Sequence, residues 1–341
     1  MNPKYILTGI GISTAVIVSS MGSYFQDVLP SIHFPLPHAA ATAMTAFGFS
    51  CLFYSENSAK HRPKPIDGIR CSLHNHTEFS DYAAIYAKLP VVLREAFRQG
   101  IGVLAITDMN NDFLYRNLPK EMKEIKDFTL EHYSPRLAII REECSGKILY
   151  LLHGIECHIP RGHILGIGID EIEKVYSSPI DNAKQIKEKG GIIIAAHPFA
   201  TPFGGCGKET LDELVKQELI TAIEGHNGQC RFIPGIDARK WNEQAKKYAI
   251  ENILPAIATP DSRHPKDVGT CYFIMPAEAL DCSSEEQVIR SLKGAISEST
   301  FPKYYRMNVE GYCPLHLFIR TFISLSRLGR RWPWRRKAKG E

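Results

Sequence analysis

The chain has 341 residues, 44% hydrophobic and 23% charged, which supplies a core for one large domain or two small ones. That composition excludes wholesale disorder, a collagen-like repeat and a coiled-coil rod. The formal charge of +4 is uneven: residues 327–341 hold seven Lys and Arg against Glu341, leaving 34 basic and 36 acidic side chains elsewhere.

Residues 5–26 carry no charged side chain and are long enough for a spanning helix. A second apolar stretch, 39–55, is shorter and rich in Ala, Thr and Ser. Lys4 precedes the first segment, and Lys60, Arg62 and Lys64 follow the second. The excess of cations at both ends places them on the cytoplasmic side, so one or two transmembrane helices are expected, with a hairpin over 1–58 as the adopted reading. A cleaved signal peptide competes for the first segment and a buried helix for the second; if only the first spans, the domain lies outside. Residues 59–67 read as a polar linker with Pro63 and Pro65.

From Gly68 the pattern changes. Short β-rich runs lie at 69–74, 102–107, 148–155, 164–169, 192–196, 221–224, 253–258 and 270–275, with helical patterns at 90–99, 180–189, 209–219 and 237–249. Strand–helix alternation argues for a parallel α/β architecture over 68–300. Residues 301–341 follow as an amphipathic helix and a basic tail. Leu315, Phe318, Ile319, Phe322 and Leu325 recur at helical spacing, and Trp332 and Trp334 lie among cations, a composition suited to an anionic leaflet. The nine cysteines contain no C-x-x-C pair and read as reduced thiols.

Chemically useful side chains gather at strand ends. His74 and His76 close the first run, Asp108 the second and Glu156 the third. His163 opens the fourth, His197 and Glu224 close the next two, and Asp261 follows the seventh. Carboxyl ends of strands are where a (β/α) barrel collects its active site. His74 and His76, two residues apart on a strand, point to one face. Imidazoles with carboxylates form an N/O shell suited to Mn, Fe or Zn.

The ordered set SLHNHTEFSD (72–81), LAITDMNN (104–111), LLHGIECH (151–158), RGHILGIG (161–168), IIIAAHPF (192–199), AIEGHNG (222–228) and TPDSRHPKDVG (259–269) resembles the PHP (polymerase and histidinol phosphatase) superfamily of metal-dependent phosphoesterases. The resemblance implies a distorted (β/α)7 TIM-like barrel with a multinuclear centre. His74, His76, Glu156 and Asp261 would hold one metal, and Glu156 would bridge to a second held by His163 and His197. Of the family's third site Asp81 is present, but Met109 and Arg263 stand where histidines are usual, and His264 falls one place late. Neither suits a hard cation, so two divalent ions (Mn, Fe or Zn) are expected, with the third site weak or absent. Arg263 is expected either to supply a cation beside the phosphate instead or to pair with a nearby carboxylate. Asp108 and Asp81 are candidates for a proton acceptor or for support of the ligands. His226 and Asn227 are candidate substrate contacts, and His158 a substitute ligand.

The expected function is therefore a membrane-tethered phosphoesterase at the inner membrane, facing the cytoplasm and cleaving a small phosphorylated substrate. The near-neutral main body argues against nucleic acid as a partner. A nuclease or phosphodiesterase of the same family is an alternative. So is a degenerate, non-catalytic barrel serving as a membrane-bound binding module.

Overall fold

Uninterrupted apolar runs such as IGVLAI and IIIA become strands buried on both faces. In the computed structural model, residues 67–299 are described, apart from 81–83, 85–86, 231 and 234–235, together with the strand 305–307. The expected segments 5–26 and 39–55, nearly all of the linker, the amphipathic helix with its basic tail, and Asp81 lie outside the described residues. Among the described residues no helix is long and apolar enough to cross a membrane.

In chain order the elements are β1 (Ile69–Ser72), α1 (Leu89–Arg98), β2 (Ile101–Ile106), α2 (Phe113–Arg116), α3 (Leu118–Lys123), β3 (Phe128–Tyr133), β4 (Leu137–Glu142), β5 (Ile148–Cys157) and β6 (Ile164–Ile167). There follow α4 (Pro179–Glu188), β7 (Ile192–Ala195), α5 (Gly207–Lys216), β8 (Ala222–Asn227), β9 (Phe232–Ile233), β10 (Ile236–Asp237) and α6 (Arg239–Glu251). The last are β11 (Ala256–Thr259), β12 (Cys271–Met275), α7 (Glu285–Ser297) and β13 (Tyr305–Met307). Helix starts follow local chemistry. Pro90 opens α1, Ser178 caps α4 through the Asp181 N–H ahead of Pro179, and Ser284 caps α7 through the Gln287 N–H.

The main sheet runs β11-β8-β7-β6-β5-β2-β1-β12-β13, with the β3–β4 hairpin branching from β5. The ladders β1–β2, β2–β5, β7–β8 and β8–β11 are parallel. By contrast β6 pairs antiparallel with both β5 and β7, and β12 antiparallel with β1. The sheet is thus mixed, which corrects the all-parallel expectation. The cause is chain length: only residues 158–163 separate β5 from β6, whereas a parallel crossover needs a dozen or more.

Alternate strand residues Cys71, Val103, Leu152, Leu165, Ile194, Ala222, Ile257 and Phe273 meet in one buried cluster with Val288, Ile289 and Leu292 of α7. Residues from so many strands share one interior only if the sheet curls round on itself. β11 comes to lie beside β12, giving a nearly closed barrel-shaped sheet. The opposite faces pack outward in two further clusters, one against α1, α2 and α3 and one against α4, α5 and α6. Six of the strands (β1, β2, β5, β7, β8, β11) end at one rim. The reversed strand β6 begins there. The seven cysteines among the described residues are all free thiols.

Candidate metal centre

Strand periodicity carries several groups into the rim. Glu156 lies two pleats beyond Leu152 on the inner face of β5, Glu224 one pleat beyond Ala222, and His163 one before Leu165. The others need local distortion. β1 ends at Ser72, and an isolated bridge between Asn75 and Ser262 holds the H-N-H segment against the loop after β11. His197 and Asp261 take positive φ angles of 30° and 46°, a region that L-residues with side chains seldom occupy.

The outcome is a compact set of donors. His74 Nε2 lies 3.1 Å from His76 Nε2, 3.7 Å from Glu156 Oε1 and 3.6 Å from Asp261 Oδ1. His76 Nε2 lies 3.5 Å from Glu156 Oε2 and 3.3 Å from Asp261 Oδ1. On the other side of the carboxylate, Glu156 Oε1 lies 2.8 Å from His163 Nδ1 and 3.6 Å from His197 Nε2. His158 Nδ1 stands 3.7 Å from Glu156 Oε2, and the triplets His74–His76–Glu156 and Glu156–His158–His163 each bring ligand atoms within 4.8 Å of one another.

These groups are buried yet unsatisfied. Both oxygens of Glu156, Asp261 Oδ1 and His163 Nδ1 lack hydrogen-bond partners, although buried polar atoms ordinarily have them. His163 and Glu156 are close without being aligned for a hydrogen bond, as two lone pairs aimed at a common cation would be. The donor set therefore fits divalent metal.

A second layer orients the donors. Glu224 is fully buried and accepts from His74 Nδ1 (2.7 Å), the His197 N–H (2.7 Å), Asn227 Nδ2 (2.7 Å) and Thr259 Oγ1 (2.6 Å). Fixing Nδ1 leaves His74 Nε2 for the centre, the arrangement that metal-binding histidines favour. The sequence reading noted Glu224 at a strand end without giving it a role. Asn227 spans Glu224 and Asp261, donating to Asp261 Oδ2 at 3.2 Å; it is 1% exposed and positions carboxylates rather than meeting solvent. Asp108 receives the Thr77 N–H and hydroxyl, both at 2.6 Å, and so clamps the segment after His76; burial pushes its carboxyl up to about 6.

Met109 and Arg263, far apart in sequence, touch: Arg263 Nη1 lies 3.6 Å from Met109 Sδ. The buried guanidinium also has Nε 3.3 Å from Asp261 Oδ1 and Nη2 3.8 Å from Glu156 Oε2. His264 accepts the Lys266 N–H at the start of a short turn, and His226 Nδ1 lies 3.2 Å from Asn242 Nδ2.

Burial would raise the Asp261 carboxyl, but His74 and Arg263 outweigh it and hold the group well below the usual range. Glu156 behaves likewise, with His163, His158 and His197 overcoming desolvation. Burial lowers His163 to about 4, and burial with the Arg263 charge lowers His76 to about 3, so both rings are neutral at physiological pH, the form an imidazole needs to hold a metal.

No family model matches the chain. Over 152 residues, 42% of the chain and 76% of the relative, it is 27% identical to an uncharacterized protein of Methanocaldococcus jannaschii. Among solved structures, the lesion-specific endonuclease of Pyrococcus furiosus is similar over 67% of this chain and 56% of its own, at 14% identity and a TM-score of 0.43. Endonuclease Q in complex with a 27-mer duplex bearing an abasic lesion at the active site is similar over 66% of this chain and 56% of its own, at 13% identity and a TM-score of 0.47. A protein of Bifidobacterium adolescentis named for metal-dependent phosphoesterase activity by inference is similar over 59% of this chain and 89% of its own, at 14% identity and a TM-score of 0.39. The chain spans little more than half the length of the endonucleases. Likenesses this distant assign no substrate, so the functional reading rests on the centre itself.

Proposed function

We propose that this chain is a metal-dependent hydrolase of phosphate esters. The observation that carries the reading is the convergence of His74, His76, His163 and His197 on Glu156 and Asp261, whose inward oxygens are buried and unpartnered. His74, His76, Glu156 and Asp261 would hold one ion, and Glu156, His163 and His197 a second. Bound divalent ions supply a hydroxide nucleophile at neutral pH and neutralise charge on the phosphoryl oxygens.

The chain's own residues prepare that chemistry. Glu224 fixes the ring of His74, and Asn227 fixes the carboxylate of Asp261. Arg263 holds a permanent positive charge beside Asp261 and Glu156, where a phosphoryl oxygen would meet a planar donor fork. Asp108 holds the H-N-H loop closed through Thr77.

The expectation against nucleic acid is withdrawn, since a near-neutral net charge alone does not exclude it. Small phosphomonoesters and phosphodiesters both remain within the proposal. We place the chain at the inner membrane with this domain facing the cytoplasm, on the strength of the apolar segments 5–26 and 39–55 and their flanking cations.

The test is metal analysis followed by turnover. Purified protein should carry about two divalent ions per chain and release p-nitrophenol from its mono- or bis-phosphate ester in a chelator-sensitive way. Glu156→Ala should abolish both metal and turnover, whereas Arg263→Ala should keep the metal and slow turnover by orders of magnitude. Protein that takes up no metal would instead be a binding module, a reading favoured by the way Arg263 already offsets the charge of Asp261.

A further inference from the structure

Two histidines of the centre are held at their far nitrogens by different chemistry. His74 Nδ1 meets the carboxylate of Glu224, whereas His76 Nδ1 meets a hydroxyl, Ser80 Oγ, at 2.8 Å. The local chain makes that second contact. β1 ends at Ser72, so His76 lies in the irregular segment beyond it, where its own N–H donates to the Ser262 carbonyl at 2.9 Å. The Ser80 N–H then donates to the Thr77 carbonyl at 3.0 Å, and this tight turn brings Ser80 back to the His76 ring.

Ser80 Oγ is a shared atom. It accepts the Met109 N–H at 2.9 Å, which ties the loop after β2 to the same point. It also favours the charged form of Asp108, as a hydroxyl beside a carboxylate does. That carboxylate already takes the Thr77 N–H and hydroxyl at 2.6 Å each.

A serine hydroxyl has two lone pairs and one hydrogen. The Met109 N–H fills one lone pair, which leaves two ways to meet the imidazole. If Nδ1 carries the ring proton, it fills the second lone pair, and the hydroxyl hydrogen is left for Asp108. If Nδ1 is bare, it takes the hydroxyl hydrogen, Asp108 loses it, and the ring proton moves to Nε2. There it would stand between His76 and the inward carboxylate oxygens, 3.3 Å from Asp261 Oδ1 and 3.5 Å from Glu156 Oε2. Neither of those oxygens takes a hydrogen bond from it. The first arrangement satisfies every group at once and leaves the Nε2 lone pair facing the centre.

We propose that Ser80 is a positioning residue for metal binding: its hydroxyl accepts a hydrogen bond from His76 Nδ1, donates its own hydrogen to Asp108, and so fixes the tautomer of His76 that can hold an ion. Asp108 becomes the end of that chain, anchoring the segment through both Thr77 and Ser80. The proposal rests on the metal-centre reading and adds the group that prepares one of its ligands.

Competition for Zn2+ between the full chain and a chromogenic chelator tests it, with the imidazole N–H signals of the Zn2+-loaded protein as a second readout. Ser80→Ala keeps the backbone bond to Thr77 and should weaken one of the two ions by about ten- to a hundredfold, leaving the other as in the unsubstituted chain. Ser80→Thr, which retains a hydroxyl, should restore the weakened ion. A slowly exchanging Nδ1–H signal, assigned to His76 by its loss from His76→Asn, should persist in Ser80→Thr and vanish in Ser80→Ala. Unchanged affinity for both ions in Ser80→Ala, equal weakening of both, no recovery in Ser80→Thr, or a His76 signal that survives in Ser80→Ala would overturn the positioning role and leave the metal centre standing. An unsubstituted chain that takes up no Zn2+ would overturn the metal-centre reading as well.

Discussion

Glu224 shows how much of the centre depends on a residue that need not touch a metal. Its carboxylate gathers four donors from the segment after β1, β8, β11 and the loop after β7, so one side chain aligns elements from across the barrel. Replacing it with Gln puts an amide hydrogen where at least one donor points and frees His74 to rotate. Glu224→Gln should lower metal affinity by about ten- to a hundredfold at unchanged secondary structure, read by competition with a chromogenic chelator. Wild-type affinity in the variant would show that the hydrogen bonds do not control the ligand. The converging donors were legible in the sequence because imidazoles and carboxylates recur at strand ends. Glu224 was visible at such an end, but nothing in its neighbours marks a carboxylate that serves a histidine 150 positions away. Asn227 misled the reading in the same way, for a polar residue near a rim looks like a substrate contact until its buried partners are known.

At the scale of elements, β5 does the most. Its first half pairs with β2 on one edge and β4 on the other, and its second half pairs with β6. Gly154 stands at the change of partner, where a Cβ would come within 2.8 Å of Thr107 Cγ2 and 2.9 Å of the Ile106 carbonyl. Gly154→Ala should therefore destabilise the fold by about 1–3 kcal/mol, seen as a lower midpoint in urea, because backbone has to shift. An unchanged midpoint would mean that the strand pair absorbs the methyl freely. All eight apolar runs read from the sequence became strands, and all four helical patterns became helices, since burial on one or two faces imposes those periods. Strand direction was read as parallel and missed at β6 and β12, because a period of two is the same in either sense; the short 158–163 connection held that information for β6. The β3–β4 hairpin escaped because Glu131, His132 and Tyr133 are exposed, so only Phe128 and Leu130 of its first strand meet the core, too few to show a period. Helix α7 escaped although Ser284 and Gln287 have the spacing of a capping box and Val288, Ile289, Leu292 and Ile296 form an apolar stripe.

For the whole molecule, the proposed membrane placement rests on the amino-terminal segments. The full chain should sediment with membranes and stay there through high salt and alkaline carbonate, leaving only with detergent, whereas a chain beginning near residue 60 should remain in the supernatant. Release of the full chain by salt alone would reduce the attachment to the basic tail. The barrel itself holds a tension of another kind. His197 and Asp261 keep a backbone shape that glycine would adopt without strain, and they keep it at two of the places where a donor is needed. Lineages or libraries selected only for heat tolerance should shed these two side chains early, so robustness and reactivity pull this chain toward different sequences.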